Sequence, residues 1–202
     1  MRVTVIDYKA GNLTSVLKTL RHLGAETIVT DGELSLVESA ERIVLPGVGH
    51  FAATSRLDET GMTGAIRAVL ARGVPYLGIC VGMQWLFAGS TEAPEQPGLG
   101  QFAEQCTRFP EGKEKVPHVG WNSLEVRPGS KLLAGVGAGE FVYFTHAYKA
   151  PVTADTAAST FYIEPFASAV ERGNVMGVQF HPEKSGETGL KVLRNFLEWK
   201  GR

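Results

Sequence analysis

A short apolar run that turns sharply into a second apolar segment constrains this chain more than any other feature. Residues 76–79 predict a buried strand and residues 83–87 predict the start of a helix. Between them lies the spacing Gly78-x-Cys80-x-Gly82. A side chain on so sharp a strand-to-helix turn projects above the sheet, and the flanking glycines remove Cβ atoms that would clash there. The spacing therefore predicts a nucleophile elbow with a cysteine in place of serine.

The chemistry of Cys80 has two interpretations at this point. A helix N-terminus directly after Cys80 favours its thiolate, which is the reactive form. The alternative is a structural cysteine, because free cysteine is among the most often buried residue types. The local sequence leaves both open, and the rest of the chain has to decide between them.

Composition excludes several classes of protein. A length of 202 residues is typical of one domain, so we expect residues 1–202 to form a single domain. The 44% hydrophobic content is typical of a globular protein. A net charge of -1 gives no attraction to nucleic acid or to a membrane surface. The 2 cysteines form no CxxC pair, no HExxH motif is present, and we expect neither a metal nor another cofactor. The first apolar run ends at Asp7, so we expect neither a signal peptide nor a membrane span. We therefore expect a cytoplasmic location.

The first half of the chain alternates strands with helices. Apolar runs predict strands at residues 3–6, 27–29 and 43–45, and leucines at helical spacing predict a helix that ends at Gly24. A second helix, with Ile66, Val69 and Leu70 on one face, precedes the elbow. Because parallel strands need crossover connections, this order predicts a mostly parallel sheet flanked by helices.

The loop Pro46-Gly47-Val48-Gly49 follows the third predicted strand. Its glycines are consistent with nothing more than a tight turn. They also permit a backbone that aims N–H groups at an anion above the sheet, where open α/β sheets bind their ligands.

The second half has a different texture. A loop rich in proline, glycine and glutamate covers residues 89–100, and short β-like runs then dominate up to residue 178. The sequence Glu171-Arg172-Gly173-Asn174 predicts a hairpin, so this half is expected to be antiparallel or mixed. The fold class predicted for the whole chain is therefore α/β, with a mixed or antiparallel second half.

His181 and Glu183 follow the last predicted strand, two positions apart. An extended backbone would place both side chains on one side, and Pro182 stiffens that spacing. A cysteine nucleophile needs an imidazole base, and the imidazole needs a partner that fixes its tautomer. This pair is suited to both tasks, although a solvated turn is the alternative for so short a motif.

Taken together, these stretches resemble the class I, triad-type glutamine amidotransferases, and within them the glutaminase subunits of imidazole glycerol phosphate synthase. The resemblance covers the whole chain and implies a flavodoxin-like α/β fold. It rests on Asp7-Tyr8 with Gly11-Asn12-Leu13, Leu45-Pro46-Gly47-Val48-Gly49, Gly78-Ile79-Cys80-Val81-Gly82-Met83-Gln84, Pro117-His118-Val119-Gly120-Trp121-Asn122, Tyr143-Phe144 with His146, and residues 177–185. Departures from the family pattern include Lys9, Val81, His50 and Ala147.

The resemblance implies a role for each matched residue. Cys80 would attack the side-chain amide of L-glutamine, His181 would transfer the proton, and Glu183 would orient the imidazole. The N–H groups of Val81 and Val48 would form the oxyanion hole. The positions that would bind the glutamine are Gly49, Gln84, His146, Ala147 and Tyr148. Ala147 stands where a serine or threonine is common, which leaves a backbone contact there.

The resemblance also implies a partner, a (β/α)8-barrel cyclase that receives the ammonia and forms a heterodimer with this chain. The expected interface positions are Asn12, Trp121, Tyr143 and Lys184. Each has a simpler interpretation, as a helix cap, a half-buried core residue or a solvated charge.

Two further classes of function stay open. One is another glutaminase, such as that of anthranilate synthase, or a stand-alone cysteine hydrolase, which would act without this partner. The other is a non-catalytic α/β domain that only binds a partner, in which Cys80→Ser would be fully active.

Overall fold

The computed structural model describes residues 1–10, 13–112 and 114–200. The first half alternates strands and helices, as predicted. Its elements are β1 (Arg2–Ile6), α1 (Leu13–His22), β2 (Glu26–Thr30), α2 (Leu34–Glu38), β3 (Ile43–Gly47), a 3-10 helix (Phe51–Thr54), α3 (Ser55–Glu59), α4 (Met62–Ala71), β4 (Tyr76–Cys80) and α5 (Val81–Gln84).

The second half consists mostly of strands and ends in a helix. Its elements are β5 (Gly89–Ser90), β6 (Gln105–Arg108), β7 (His118–Ser123), β8 (Glu125–Val126), β9 (Phe141–His146), β10 (Tyr148–Lys149), β11 (Thr156–Tyr162), β12 (Glu164–Arg172), β13 (Val175–Val178), a 3-10 helix (Pro182–Lys184) and α6 (Gly186–Glu198). The predicted hairpin lies between β12 and β13, where Gly173 has a φ of 60°.

The main sheet has 8 strands in the order β2-β1-β3-β4-β13-β12-β11-β8. The strands from β2 to β13 in that order are parallel, and β12, β11 and β8 are antiparallel. Two smaller sheets, β10-β6-β5 and β7-β9, complete the described strands. The predicted fold class, a mostly parallel sheet with a mixed second half, is confirmed.

The sheet is the centre of the core. Every residue of β3, β4 and β13 is buried, which accords with parallel strands covered on both faces. The helices add apolar stripes at helical spacing, such as Val192, Leu193 and Phe196 of α6. Buried apolar side chains from both halves of the chain form one cluster.

The pairing of β4 with β13 positions the candidate site. The two strands are parallel neighbours, with Ile79 opposite Val178. Because the carboxyl ends of parallel strands meet at one edge of a sheet, the residues that follow each strand lie close together. Cys80 and His181, about a hundred positions apart in sequence, therefore come to the same edge.

Two local expectations are wrong. The helix expected at residues 83–87 ends at Gln84, because the N–H groups of Leu86 and Phe87 bond three residues back and tighten the chain into turns. Glu183 lies in a 3-10 helix instead of an extended segment, with Pro182 in its first turn. Proline supplies a φ suited to the start of such a turn.

Among the described residues, no helix is long and apolar enough to cross a membrane.

Candidate active site

Cys80 occupies a sharp turn between β4 and α5. Its backbone has φ 55° and ψ -110°, a conformation that residues with a side chain rarely adopt. The flanking glycines have no room for a side chain, because a Cβ on Gly78 would lie 2.3 Å from the carbonyl oxygen of Gly82 and a Cβ on Gly82 1.9 Å from that of Leu45. Such strain persists where the surroundings enforce it, as is common at functional sites.

The thiol of Cys80 is buried, with 3% of the residue exposed. Its sulfur lies 4.0 Å from the carbonyl oxygen of Thr145 and accepts from the side-chain amide of Gln179 at 3.6 Å. An N–H directed at the sulfur stabilises negative charge on it. The buried sulfur therefore has a hydrogen-bond donor beside it.

His181 and Glu183 form a buried pair beside Cys80. Nδ1 of His181 and Oε1 of Glu183 are 2.9 Å apart, and both side chains are 1% exposed. The other ring nitrogen, Nε2, has no hydrogen-bond partner within the described ranges. Burial lowers the pKa of His181, but its interactions with Cys80 and Glu183 raise that pKa to about 9. The arrangement therefore favours an imidazolium next to the sulfur.

The two predicted oxyanion donors differ in their state. Val81 is the first residue of α5, where N–H groups have no partner within the helix. The N–H of Val48 is occupied, because it donates to the carbonyl oxygen of Ala10 at 3.3 Å. One donor is thus placed at the elbow, and the second is bonded elsewhere.

A small cleft of about 40 Å³ opens beside Cys80. Every residue predicted to bind glutamine lines it, together with two that the sequence analysis missed. The lining residues are Gly49, Cys80, Val81, Gln84, Glu92, Thr145, His146, Ala147 and Tyr148.

Gln84 acts within the wall of this cleft. Its side-chain nitrogen donates to the carbonyl oxygen of Tyr148 at 2.9 Å and to the side-chain oxygen of Gln179 at 3.0 Å. Both of its N–H bonds are used, which leaves its oxygen as the atom available to a ligand. Gln179 in turn donates to the sulfur of Cys80, so Gln84 also fixes a neighbour of that sulfur.

His146 is held in one orientation by both ring nitrogens. Nδ1 lies 2.9 Å from the carbonyl oxygen of Tyr148, and Nε2 lies 3.1 Å from Nδ1 of His118. Burial lowers the pKa of His146 to about 3 and that of His118 to about 4, so both rings are neutral at pH 7. A neutral ring donates from Nδ1 to the carbonyl oxygen, which fixes the backbone of residues 146–148 against the cleft.

Glu92 and Thr145 carry no signal in the sequence pattern. Glu92 lies in the loop after the elbow, where no periodicity marks it, and its carboxylate accepts from the N–H of Phe51 at 2.8 Å. Thr145 contacts the sulfur of Cys80 through its carbonyl oxygen, a contact that a residue of any type could make. Only the closeness of this loop to the elbow in sequence could have drawn attention to Glu92.

Three predicted interface residues lie together on the surface. Trp121 of β7 is 55% exposed and contacts Tyr143 of β9, with ring centroids 6.0 Å apart. The ammonium of Lys184 lies 5.6 Å from the ring centre of Tyr143. Asn12 lies outside the described residues.

The pairing of β7 with β9 explains this exposure. Trp121 is opposite Tyr143 and Val119 is opposite Thr145, so these side chains share one face. Val119 and Phe141 are also exposed, each by 57%. This exposed face, formed by Val119, Trp121, Phe141 and Tyr143, runs up to the strand end that contacts Cys80.

Comparison with known proteins shows the family and the fold of the chain. The family model described as glutamine amidotransferase class-I matches residues 4–199. A solved structure described as a glutamine amidotransferase superposes with a TM-score of 0.76 and 22% identity, over 97% of each chain, and so shares the fold.

Curated relatives narrow the family. The imidazole glycerol phosphate synthase subunit HisH of Deinococcus radiodurans is 46% identical over 96% of this chain and 92% of its own length. That of Methanopyrus kandleri is 44% identical over 100% of both chains. The chain therefore belongs to the class-I glutamine amidotransferases and, within them, to the family of HisH subunits of imidazole glycerol phosphate synthase.

Proposed function

We propose that this chain hydrolyses L-glutamine to glutamate and ammonia, as the glutamine amidotransferase subunit of an imidazole glycerol phosphate synthase in histidine biosynthesis. The observation that carries the proposal is the buried pair of His181 and Glu183, 2.9 Å apart, beside a cysteine on a strained elbow. A base oriented by a carboxylate next to a nucleophile is what acyl transfer requires.

In the first half-reaction the sulfur of Cys80 attacks the side-chain carbonyl carbon of glutamine and forms a C–S bond. Nε2 of His181 carries the proton taken from the thiol and gives it to the departing nitrogen as the C–N bond breaks. Ammonia leaves, and a glutamyl thioester stays on Cys80. Glu183 stabilises the imidazolium throughout, which accords with the raised pKa of His181.

In the second half-reaction water attacks the thioester carbon. Its proton passes to Nε2 of His181, the C–S bond breaks, and glutamate leaves while the sulfur departs as a thiolate. Both tetrahedral intermediates carry an oxyanion, for which the N–H of Val81 is one donor and that of Val48 the second.

The lining of the cleft supports glutamine as the substrate. Glu92 lines it with a carboxylate, which is suited to the α-ammonium group of an amino acid. The backbone of residues 146–148, fixed by Gln84 and His146, is suited to the polar remainder of the ligand.

The partner we propose is a (β/α)8-barrel cyclase, which docks on the exposed face and Lys184 and forms a heterodimer with this chain. Exposed aromatic side chains around the mouth of a site are typical of a binding surface. Ammonia released to water would be protonated and lost as a nucleophile, so direct transfer has a chemical reason. The barrel would add it to a phosphoribulosyl aminoimidazole carboxamide nucleotide and form imidazole glycerol phosphate and an aminoimidazole carboxamide ribotide.

The chain alone is expected to be nearly inactive. With Val48 bonded to Ala10, one oxyanion donor is missing, and such a loss costs roughly 2.7–4 kcal/mol, or about a hundred- to a thousandfold in rate. A partner that binds the turned form of the loop more tightly would shift the population toward it.

The test is reconstitution. The chain is mixed with the barrel cyclase and the nucleotide, and glutamine-dependent formation of imidazole glycerol phosphate is measured, with the aminase subunit of anthranilate synthase as the control partner. Product with the cyclase and no anthranilate with the control partner support the proposal. Equal glutamate release with and without either partner would favour a stand-alone hydrolase.

A further inference from the structure

The hydroxyl of Tyr8 is a buried polar group that the reaction described above does not use. Tyr8 follows β1 and is 3% exposed, and its oxygen has no hydrogen-bond partner in the described part of the chain. A buried hydroxyl without a partner costs free energy, so such groups are rare and their retention needs a reason.

The position of this hydroxyl points to the glycine loop. A Cβ placed on Gly47 would lie 1.9 Å from the Tyr8 oxygen and 2.9 Å from Cβ of Val81. The hydroxyl therefore touches the backbone of Gly47, between the loop that carries Val48 and the elbow that carries Cys80.

The peptide between Gly47 and Val48 has a reason to turn. Its N–H now donates to the carbonyl oxygen of Ala10, and it must rotate to face an oxyanion above Cys80. The two ends of a peptide are coplanar, so rotation of the N–H also moves the Gly47 carbonyl oxygen to the opposite side. That oxygen then needs a donor in a buried place.

We propose that Tyr8 is a positioning residue whose hydroxyl donates to the Gly47 carbonyl oxygen once the Gly47–Val48 peptide has turned. The bond stabilises the form of the loop in which Val48 can serve the oxyanion. In the present form of the loop the Tyr8 hydroxyl has no hydrogen-bond acceptor among the described residues. Because the hydroxyl gains an acceptor only in the turned form, this hydrogen bond favours the turned form when the cyclase binds. This inference rests on the proposed glutaminase function and adds a residue to its control.

The Tyr8 hydroxyl keeps its proton and can therefore donate a hydrogen bond. Burial raises the pKa of its hydroxyl well above the ordinary value of 10.0, and the negative charge of Cys80 raises it further. The hydroxyl therefore keeps its proton while the thiolate forms nearby, and donates throughout the reaction.

The test uses Tyr8→Phe in the complex with the cyclase and its nucleotide. Loss of one hydrogen bond predicts a glutaminase kcat about five- to tenfold lower, with the KM for glutamine and the affinity for the cyclase within twofold of the wild type. The unfolding midpoint should not fall, because the lost hydroxyl has no partner in the resting chain. A purely structural role would give the reverse, a lower midpoint with an unchanged kcat.

Tyr76→Phe is the matched control. The hydroxyl of Tyr76 is also buried under the elbow, but it already donates to the carbonyl oxygen of Gly82 at 3.3 Å. Its removal should lower the unfolding midpoint and leave the stimulated kcat within twofold. A fall in kcat that is equal in both variants would overturn the specific role of Tyr8.

A second measurement does not depend on any variant. In a crystal structure of the wild-type complex with a glutamine analogue bonded to Cys80, the Tyr8 oxygen should lie about 2.8 Å from the Gly47 carbonyl oxygen. A separation above about 3.5 Å would overturn the proposal.

The two proposals fail differently. If the wild-type complex is stimulated and Tyr8→Phe is stimulated equally, the role of Tyr8 is wrong and the glutaminase function stands. If the wild-type complex releases no glutamate from glutamine, the proposed function is wrong and the role of Tyr8 falls with it.

Discussion

The main-chain N–H of Val48, which we propose as one of the two donors to an oxyanion at Cys80, donates to the carbonyl oxygen of Ala10 at 3.3 Å. The adjoining glycines allow this peptide more than one orientation at little steric cost. The proposed nucleophile and its base lie close together, whereas the second proposed oxyanion donor is bonded elsewhere. This one main-chain hydrogen bond is the reason why we propose that the chain alone is nearly inactive.

The first prediction concerns this hydrogen bond. Glutamate release should be lowest for the chain alone, higher with the cyclase, and highest with the cyclase and its nucleotide. Val48→Pro, which removes the N–H, should hold the complex near its resting rate, about a hundred- to a thousandfold below the stimulated rate.

Val48→Ala is the control for this loop, because it keeps the N–H and shortens a side chain that is 37% exposed. It should be stimulated like the wild type. Full stimulation of Val48→Pro would assign the second donor to another residue.

The second prediction separates the members of the triad. His181→Ala should abolish thioester formation, because no other group is placed to move the proton. Glu183→Gln should be less severe, because it keeps a hydrogen-bond acceptor for Nδ1 and loses only the charge. Rapid-quench measurement of the acyl enzyme checks both; equal losses would mean that the carboxylate does more than orient and stabilise the ring.

The third prediction is a pH dependence of stability. Burial lowers the pKa of His181, but Cys80 and Glu183 raise it from 6.5 to about 9. Because the folded value is above the unfolded one, this stabilisation is fully present below about pH 6.5 and is lost as the pH rises through 9. The full contribution is roughly 3 kcal/mol.

Urea unfolding at pH 6.5 and pH 9 measures this effect. The free energy of unfolding should fall more over this range in the wild type than in Glu183→Gln, since the variant lacks part of the interaction that raises the pKa. Parallel losses in both proteins would show that His181 does not gain its stabilisation from Glu183.

The fourth prediction concerns recognition of glutamine. Glu92→Gln should raise the KM for glutamine by about ten- to a hundredfold with kcat nearly unchanged, as expected for a lost charge-assisted hydrogen bond. The amide oxygen can still accept from the N–H of Phe51, which preserves the loop. Glu95→Gln, an exposed neighbour in the same loop, is the control; a KM for Glu92→Gln as low as that of this control would place the ammonium site elsewhere.

The fifth prediction concerns the exposed face. Trp121→Ala should raise the dissociation constant of the complex by on the order of tenfold or more, because exposed tryptophans are frequent hot spots. Lys184→Ala should weaken binding or coupling less. Titration calorimetry measures affinity, thermal unfolding checks the fold, and Val152→Ala, exposed outside this face, is the control. Unchanged affinity and coupling in both variants would move the interface.

What the sequence predicts well is whatever depends on local spacing. The glycines around Cys80 specify an elbow because only glycine fits there, and the parallel sheet follows from the alternation of apolar runs with helices. Contacts between residues that are distant in sequence could not be predicted in this way. Glu92 is unmarked in a loop, the contact of Gln179 with the sulfur arises only when β13 pairs with β4, and the bond from Val48 to Ala10 depends on one peptide orientation.

The proposed role of Cys80 in supplying ammonia from glutamine is tested by Cys80→Ala in the complex. The rates of imidazole glycerol phosphate formation are measured with glutamine and, separately, with ammonium as the nitrogen source. We predict that the glutamine-dependent rate is abolished while the ammonium-dependent rate stays within about twofold of the wild type, because the sulfur acts only in the release of ammonia. Glutamine-dependent synthesis that survives in Cys80→Ala would contradict it.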